Sequence, residues 1–61
     1  MYATLKHERE RQGKTQREIA QAAELSVRGY QNYELGNRVP SVETAKKIAQ
    51  ALGAPIEELF K

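Results

Sequence analysis

Apolar residues recur along the chain at three- and four-residue intervals, and short polar or glycine-containing breaks separate one recurrence from the next. That is the period of helices with one buried stripe each. The first segment runs from about Tyr2 to Gln12 and stops at Gly13, a residue suited to a left-handed C-cap. Thr15-Gln16-Arg17-Glu18 opens the second as a capping box: Thr15 caps free N–H groups while Glu18 reaches back to the cap. Its apolar face is Ile19, Ala20 and Ala23. Glu24-Leu25 then leads to Ser26, a fresh N-cap for a third helix from about Val27 to Leu35, stopped by Gly36, with Tyr30 and Tyr33 one turn apart on its inner face. Beyond Asn37-Arg38-Val39-Pro40, a fourth helix spans about Ser41 to Leu52 and is closed by Gly53. Val42, Ala45, Ile48, Ala49 and Leu52 give it a core-facing stripe. A short fifth helix, Pro55 to Phe60, has proline at a tolerated first-turn position and Glu57 and Glu58 near its positive end. No stretch alternates β-branched and polar residues, so strands are not expected. The expected fold is all-α, five short helices around one core.

Length and composition then exclude several classes. A chain of 61 residues makes one domain, 1–61, and buries only about 60% of its unfolded surface, which leaves little core for a water-excluding catalytic pocket. It has no cysteine, hence neither a disulfide framework nor a thiolate metal site, and a reducing cytoplasm is the expected setting. No apolar run approaches the roughly 20 residues of a membrane span, and no charged-then-apolar leader opens the sequence. Net charge is only +2, but it is unevenly placed. Residues 1–38 carry seven Lys/Arg against five Glu, whereas residues 39–61 carry three of each. The excess positive charge in the first two thirds hints at a polyanionic partner.

Only about three residues separate the second and third helices, and helices joined that tightly must cross steeply, as in a helix-turn-helix. The stretch Gln16-Arg17-Glu18-Ile19-Ala20-Gln21-Ala22-Ala23-Glu24-Leu25-Ser26-Val27-Arg28-Gly29-Tyr30-Gln31-Asn32-Tyr33-Glu34 resembles the helix-turn-helix of the phage repressor/Cro (XRE-type) family. Small Ala20 falls at the closest helix approach, and Ile19, Ala23, Leu25, Tyr30 and Tyr33 fall at that family's apolar positions. Gln12–Gln16, Glu34–Ser41 and Ala51–Phe60 look like the family as well, so the likeness covers nearly the whole chain. It implies a compact five-helix DNA-binding domain with the motif at about residues 16–35. The implied activity is that of a transcriptional regulator, more naturally a repressor than an activator, working as a homodimer on a two-fold symmetric duplex in a bacterial or phage-type, nucleoid-associated setting.

The residue types on the third helix suit that role. A helix entering the major groove needs polar or basic side chains on its first two turns and little bulk at closest approach, which Val27, Arg28, Gly29, Gln31 and Asn32 satisfy. Arg28 can donate twice to guanine, Asn32 or Gln31 can pair with adenine, and Val27 can meet a thymine methyl; a bidentate contact is worth about 1–3 kcal/mol of discrimination. Gly29 allows close approach at a cost of roughly 1 kcal/mol in helix propensity. Phosphate contacts are expected from Thr15, Gln16 and Arg17 at the start of the second helix, from the Asn37-Arg38 loop and from Ser41, with Lys14 and Arg11 adding long-range attraction. The resemblance implies that Gln16 grips phosphate and braces the recognition helix, and that Arg9 and Glu34 pair across the first and third helices. The same surface residues also read as solvated helix faces and caps.

The sequence departs from the family at four positions, one of them Val27, which stands in place of a polar base reader. Glu24 stands where glycine is common, which implies a bulky residue at positive φ. Glu8 and Lys14 replace frequent apolar residues, with Leu5 and Tyr2 left to pack the first helix.

An enzyme is not expected. His7 is the lone histidine and reads as a surface residue, Ser26 and Ser41 read as helix starters, and adjacent Glu57 and Glu58 diverge on a helix. No metal, cofactor or small-molecule ligand is implied. The stronger rival is a protein-interaction module on the same fold, toxin-neutralising or polymerase-contacting. Among the late apolar residues, Ile56 and Leu59 are expected in the core, and Leu35 and Phe60 at a dimer interface.

Overall fold

In the computed structural model, residues 3–60 are described, and they form five α-helices with no strand among them. These are α1 (Ala3–Arg11), α2 (Gln16–Ala22), α3 (Val27–Leu35), α4 (Val42–Leu52) and α5 (Ile56–Leu59). Tyr2 lies outside the described residues. The starts of α2, α3 and α4 are capped by hydroxyls. Thr15 Oγ1 accepts from the Glu18 amide at 3.1 Å, Ser26 Oγ from that of Gly29 at 3.0 Å and Ser41 Oγ from that of Thr44 at 3.2 Å. At α2 the capping box is complete, because Glu18 Oε1 accepts from the Thr15 amide at 2.9 Å. This bond, helped by the Thr15 hydroxyl, lowers the Glu18 pKa.

The core is Leu5, Ile19, Ala20, Ala23, Tyr30, Ile48, Ala49, Leu52 and Leu59. α2 packs on α3 and α4, α1 on α3 and α5, and α4 on α5. Leu5, Ile19, Ile48 and Leu59 are each essentially inaccessible, and full burial of such a side chain is worth about 1.5–3 kcal/mol. The stripe read for α4 holds from Ala45 onward but not before it, since Val42 is 69% exposed. Val42 occupies the first turn, immediately after the Ser41 cap, one turn ahead of the first buried position. Helical spacing assigns a face but not how far a neighbouring element extends along it.

Glu8 does not pack as an apolar residue would; its oxygens accept from Arg11 and from Gln12 Nε2, the latter at 2.8 Å. Gln12 Nε2 also donates to the Leu52 carbonyl at 2.6 Å, so polar bonds join the end of α1 to the end of α4.

α1 to α4 all end through the same turn, with positive φ at Gly13, Glu24, Gly36 and Gly53. At the α2 terminus, the Glu24 amide donates to the Gln21 carbonyl at 3.1 Å and the Leu25 amide to the Ala20 carbonyl at 2.8 Å, a Schellman arrangement. That terminus is the turn between the two helices of the motif. Glu24 takes φ 61° there, a conformation costing an L-residue with a side chain about 1–2 kcal/mol. Its carboxylate lies 3.1 Å from Lys47 Nζ on α4, an exposed pair that offsets at most part of that cost.

Candidate nucleic-acid interface

Behind α3 lies a chain of side-chain hydrogen bonds that begins in the interior and ends at the surface. Arg9 on α1 is buried and faces Glu34, the buried acid near the end of α3. Arg9 Nε donates to Glu34 Oε2 at 2.7 Å and Nη2 to Oε1 at 3.2 Å, while Nη1 donates to the Lys14 carbonyl at 2.8 Å. One guanidinium therefore holds α1, the α1–α2 loop and α3 together. Glu34 Oε1 also accepts from Gln16 Nε2 at 3.0 Å, and Gln16 Oε1 accepts from Gln31 Nε2 at 3.0 Å.

The direction of this chain is set from inside. Burial pushes the Glu34 pKa up, but hydrogen bonds led by that from Arg9 outweigh it and hold the carboxyl below its ordinary range. An ionised carboxylate only accepts. Gln16 must therefore turn its amide nitrogen inward and its oxygen toward α3, and Gln31 must donate to it. Gln31 keeps a second N–H and its carbonyl for other partners. Next to the pair, burial raises the Tyr30 pKa, and its hydroxyl has no well-formed hydrogen bond among the described residues.

The residues singled out for base reading sit together on α3. Arg28 is exposed, Gly29, Gln31 and Asn32 are half-exposed, and Val27 is half-buried against the core. Asn32 has no side-chain hydrogen bond among the described residues, so its amide is open. Thr15 and Arg17 are exposed at the start of α2, with Gln16 half-buried between them. Asn37, Arg38 and Ser41 are exposed around the α3–α4 loop. Lys14, exposed, contributes its carbonyl to Arg9.

A second surface adjoins that loop. Val39, Pro40, Val42, Ala45, Ile56 and Phe60 line a shallow apolar groove. Val39 is 78% exposed and Val42 69%. Leu35 is also exposed but does not line the groove. Val39 and Val42 were not anticipated as surface residues; the exposed position of Val39 in a loop beside a proline was the available signal.

No group of three or more metal-ligating side chains occurs among the described residues, and no described helix is long and apolar enough to cross a membrane. The small core, the tight α2–α3 turn and the outward face of α3 define a helix-turn-helix protein. The helix-turn-helix family matches residues 5–59, and the chain belongs to it, in its phage repressor/Cro (XRE) branch. Members of this family are DNA-binding transcriptional regulators, not enzymes. The chain is similar to RstR, a cryptic phage CTXphi transcriptional repressor of Vibrio cholerae serotype O1, with 38% identity over 55 residues, 90% of this chain and 49% of RstR. It is also similar to YqaF of Bacillus subtilis, an uncharacterized HTH-type transcriptional regulator, with 45% identity over 49 residues, 80% of this chain and 64% of YqaF. The chain thus spans about half to two thirds of the length of these relatives. No solved structure matches it.

The carboxylates predict a pH dependence. The pKa of Glu34 is depressed, as is that of Glu18, and the Arg11 hydrogen bond, aided by Gln12, lowers that of Glu8 from 4.5 to about 2. A carboxylate depressed on folding stabilises the native state above its unfolded pKa and loses that contribution as pH falls through the folded value. The melting temperature followed by circular dichroism should therefore be level above about pH 5 and decline steadily from there toward pH 2. Glu8→Gln should make the decline shallower. A melting temperature unchanged down to pH 3 would contradict the hydrogen-bonding pattern.

Proposed function

We propose that residues 1–61 act as one sequence-specific, double-stranded-DNA-binding domain of a transcriptional repressor, with α3 inserted in the major groove. The observation that carries the reading is the outward face of α3. Arg28 and Asn32 are open to a ligand, while the bond chain from Arg9 through Glu34 and Gln16 to Gln31 fixes the helix that bears them. Thr15, Gln16, Arg17, Asn37, Arg38 and Ser41 flank that face with donors and positive charge suited to phosphate. That RstR is named a transcriptional repressor supports the choice of repressor, and the setting is then a bacterial or phage-type cytoplasm.

The protein acts on a two-fold symmetric operator as a homodimer. Its Cα extents are 24 × 22 × 19 Å, whereas recognition helices reading successive half-sites on one DNA face stand roughly 34 Å apart. Two half-sites therefore need two copies. The groove lined by Val39, Val42 and Phe60 is an apolar face suited to joining them, with Leu35 as a further contact.

The test is selection from randomised duplexes, followed by a salt titration on the enriched sequence. A palindromic sequence should be enriched, and log K should fall with log salt at a slope of about −0.9 per phosphate neutralised. Arg28→Ala should erase the preference at one position of each half-site, a loss of about 1–3 kcal/mol there. Gln16→Ala should weaken every duplex alike. A flat salt response, or no enriched sequence, would remove the DNA-binding reading.

A further inference from the structure

Gly29 is the third residue of α3, in the first turn of the helix whose surface the proposed function depends on. Its φ is not positive, so an L-residue would fit the backbone. Glycine is also a poorer helix former than alanine. A Cβ added at Gly29 would meet a single group, the Ser26 hydroxyl at 3.0 Å.

That hydroxyl is the α3 cap, and two other helices of the same molecule keep such a cap beside a side chain. α2 carries Glu18 and α4 carries Thr44 at the equivalent third helical position. Both keep the same hydroxyl-to-amide cap, at 3.1 and 3.2 Å, against 3.0 Å for Gly29. A capped helix of this protein thus accepts even a β-branched residue at that site. Room for the cap therefore does not by itself account for the missing side chain at Gly29.

The chemistry of the notch indicates what it can hold. The Gly29 amide is already committed to Ser26, so the floor offers only C–H surface. One turn on, at i+3 and i+4, stand Asn32 and Tyr33. Tyr33 is packed partly against the core, and the Asn32 amide is open. The site pairs an amide donor with the bare Cα of Gly29. In the major groove thymine presents an O4 acceptor beside a C5 methyl, whereas cytosine presents a donor and no methyl. We propose that Gly29 and Asn32 together read a thymine, the methyl resting on the Gly29 Cα while Asn32 Nδ2 donates to O4. This rests on the DNA-binding reading above.

The experiment replaces the thymines of the selected duplex by deoxyuridine one at a time, deleting only the methyl, and measures binding of the wild type and of Gly29→Ala. At one thymine per half-site the wild type should lose about fourfold in affinity, the worth of one buried methyl. Gly29→Ala, whose helical content and melting curve are checked first, should bind the all-thymine duplex more weakly. At that same position it should regain affinity on the uracil duplex, since its added methyl fills the space the thymine methyl vacates. If no single uracil affects the wild type, or if Gly29→Ala matches the wild type on every duplex, the notch reads no thymine, although duplex binding stands. A uniform loss by Gly29→Ala with no recovery on uracil would make the glycine a clearance for the DNA backbone and overturn the thymine assignment. Failure to enrich any duplex would remove this reading together with the one beneath it.

Discussion

Glu34→Ala is expected to destabilise the protein by about 3–5 kcal/mol, because it leaves the Arg9 guanidinium buried without its counter-charge. A chain of this length holds about 3–9 kcal/mol in total, so the loss takes most of the stability and can unfold it outright. Two hydrogen bonds to Arg9 and one to Gln16 disappear at once. Arg9→Ala should be about as damaging from the other side, since it strands an ionised carboxylate that burial alone would otherwise push toward neutrality. Chemical denaturation followed by circular dichroism measures both. A loss below about 1 kcal/mol would put the pair in the class of weak surface bridges.

The double variant Arg9→Met, Glu34→Leu separates stability from positioning. Replacing a buried ion pair by well-packed apolar residues is often neutral, or stabilising by about 1–4 kcal/mol. The double variant should therefore fold, with more stability than either single alanine variant. It cannot orient Gln16, whose nitrogen loses its only acceptor in the chain of bonds, and Gln31 loses a fixed acceptor in turn. Duplex binding should fall while the melting curve stays close to that of the wild type. Stability and binding lost or kept together would mean that the pair serves the scaffold alone.

The distinction between what the sequence reveals and what it hides follows this same chain. Ile19, Ala20, Ile48 and Leu52 are legible as core because each repeats within one helix at helical spacing, and the caps at Thr15, Ser26 and Ser41 are legible because a hydroxyl and its amide lie three residues apart. Both are local. Gln16 and Gln31 meet only because α2 and α3 cross, and no periodicity marks an amide that will find another amide 15 positions away. The bond from Gln12 to the Leu52 carbonyl spans 40 positions and depends on where two helices happen to end. Val42 failed as a core residue for a related reason: its spacing matches the α4 stripe, but no core element covers the first turn. Phase along a helix is a local property, whereas coverage belongs to the tertiary arrangement.

That exposed first turn supports the prediction of largest effect on binding. Val42→Glu should leave the folded monomer nearly unchanged, since the side chain is already 69% exposed and a surface substitution costs within about 0.5 kcal/mol. In the proposed homodimer the same change acts twice across the two-fold contact, and each carboxylate would face the apolar groove of Val39, Ile56 and Phe60 on the other copy. Burying such a charge without a partner is costly enough to separate the copies. Linking two binding events through one contact raises affinity by about 10²–10⁴ over a single event, and that gain is what the variant gives up. A full palindrome should therefore be bound about 10²–10⁴-fold more weakly, while a duplex carrying one half-site should be bound as by the wild type, with the same base preference. Sedimentation of the protein with and without the palindrome reads the assembly, and titration of the two duplexes reads the coupling. If Val42→Glu binds the palindrome as tightly as the wild type does, the groove does not join the copies. If it loses the half-site as well, Val42 belongs to the DNA-contacting surface instead.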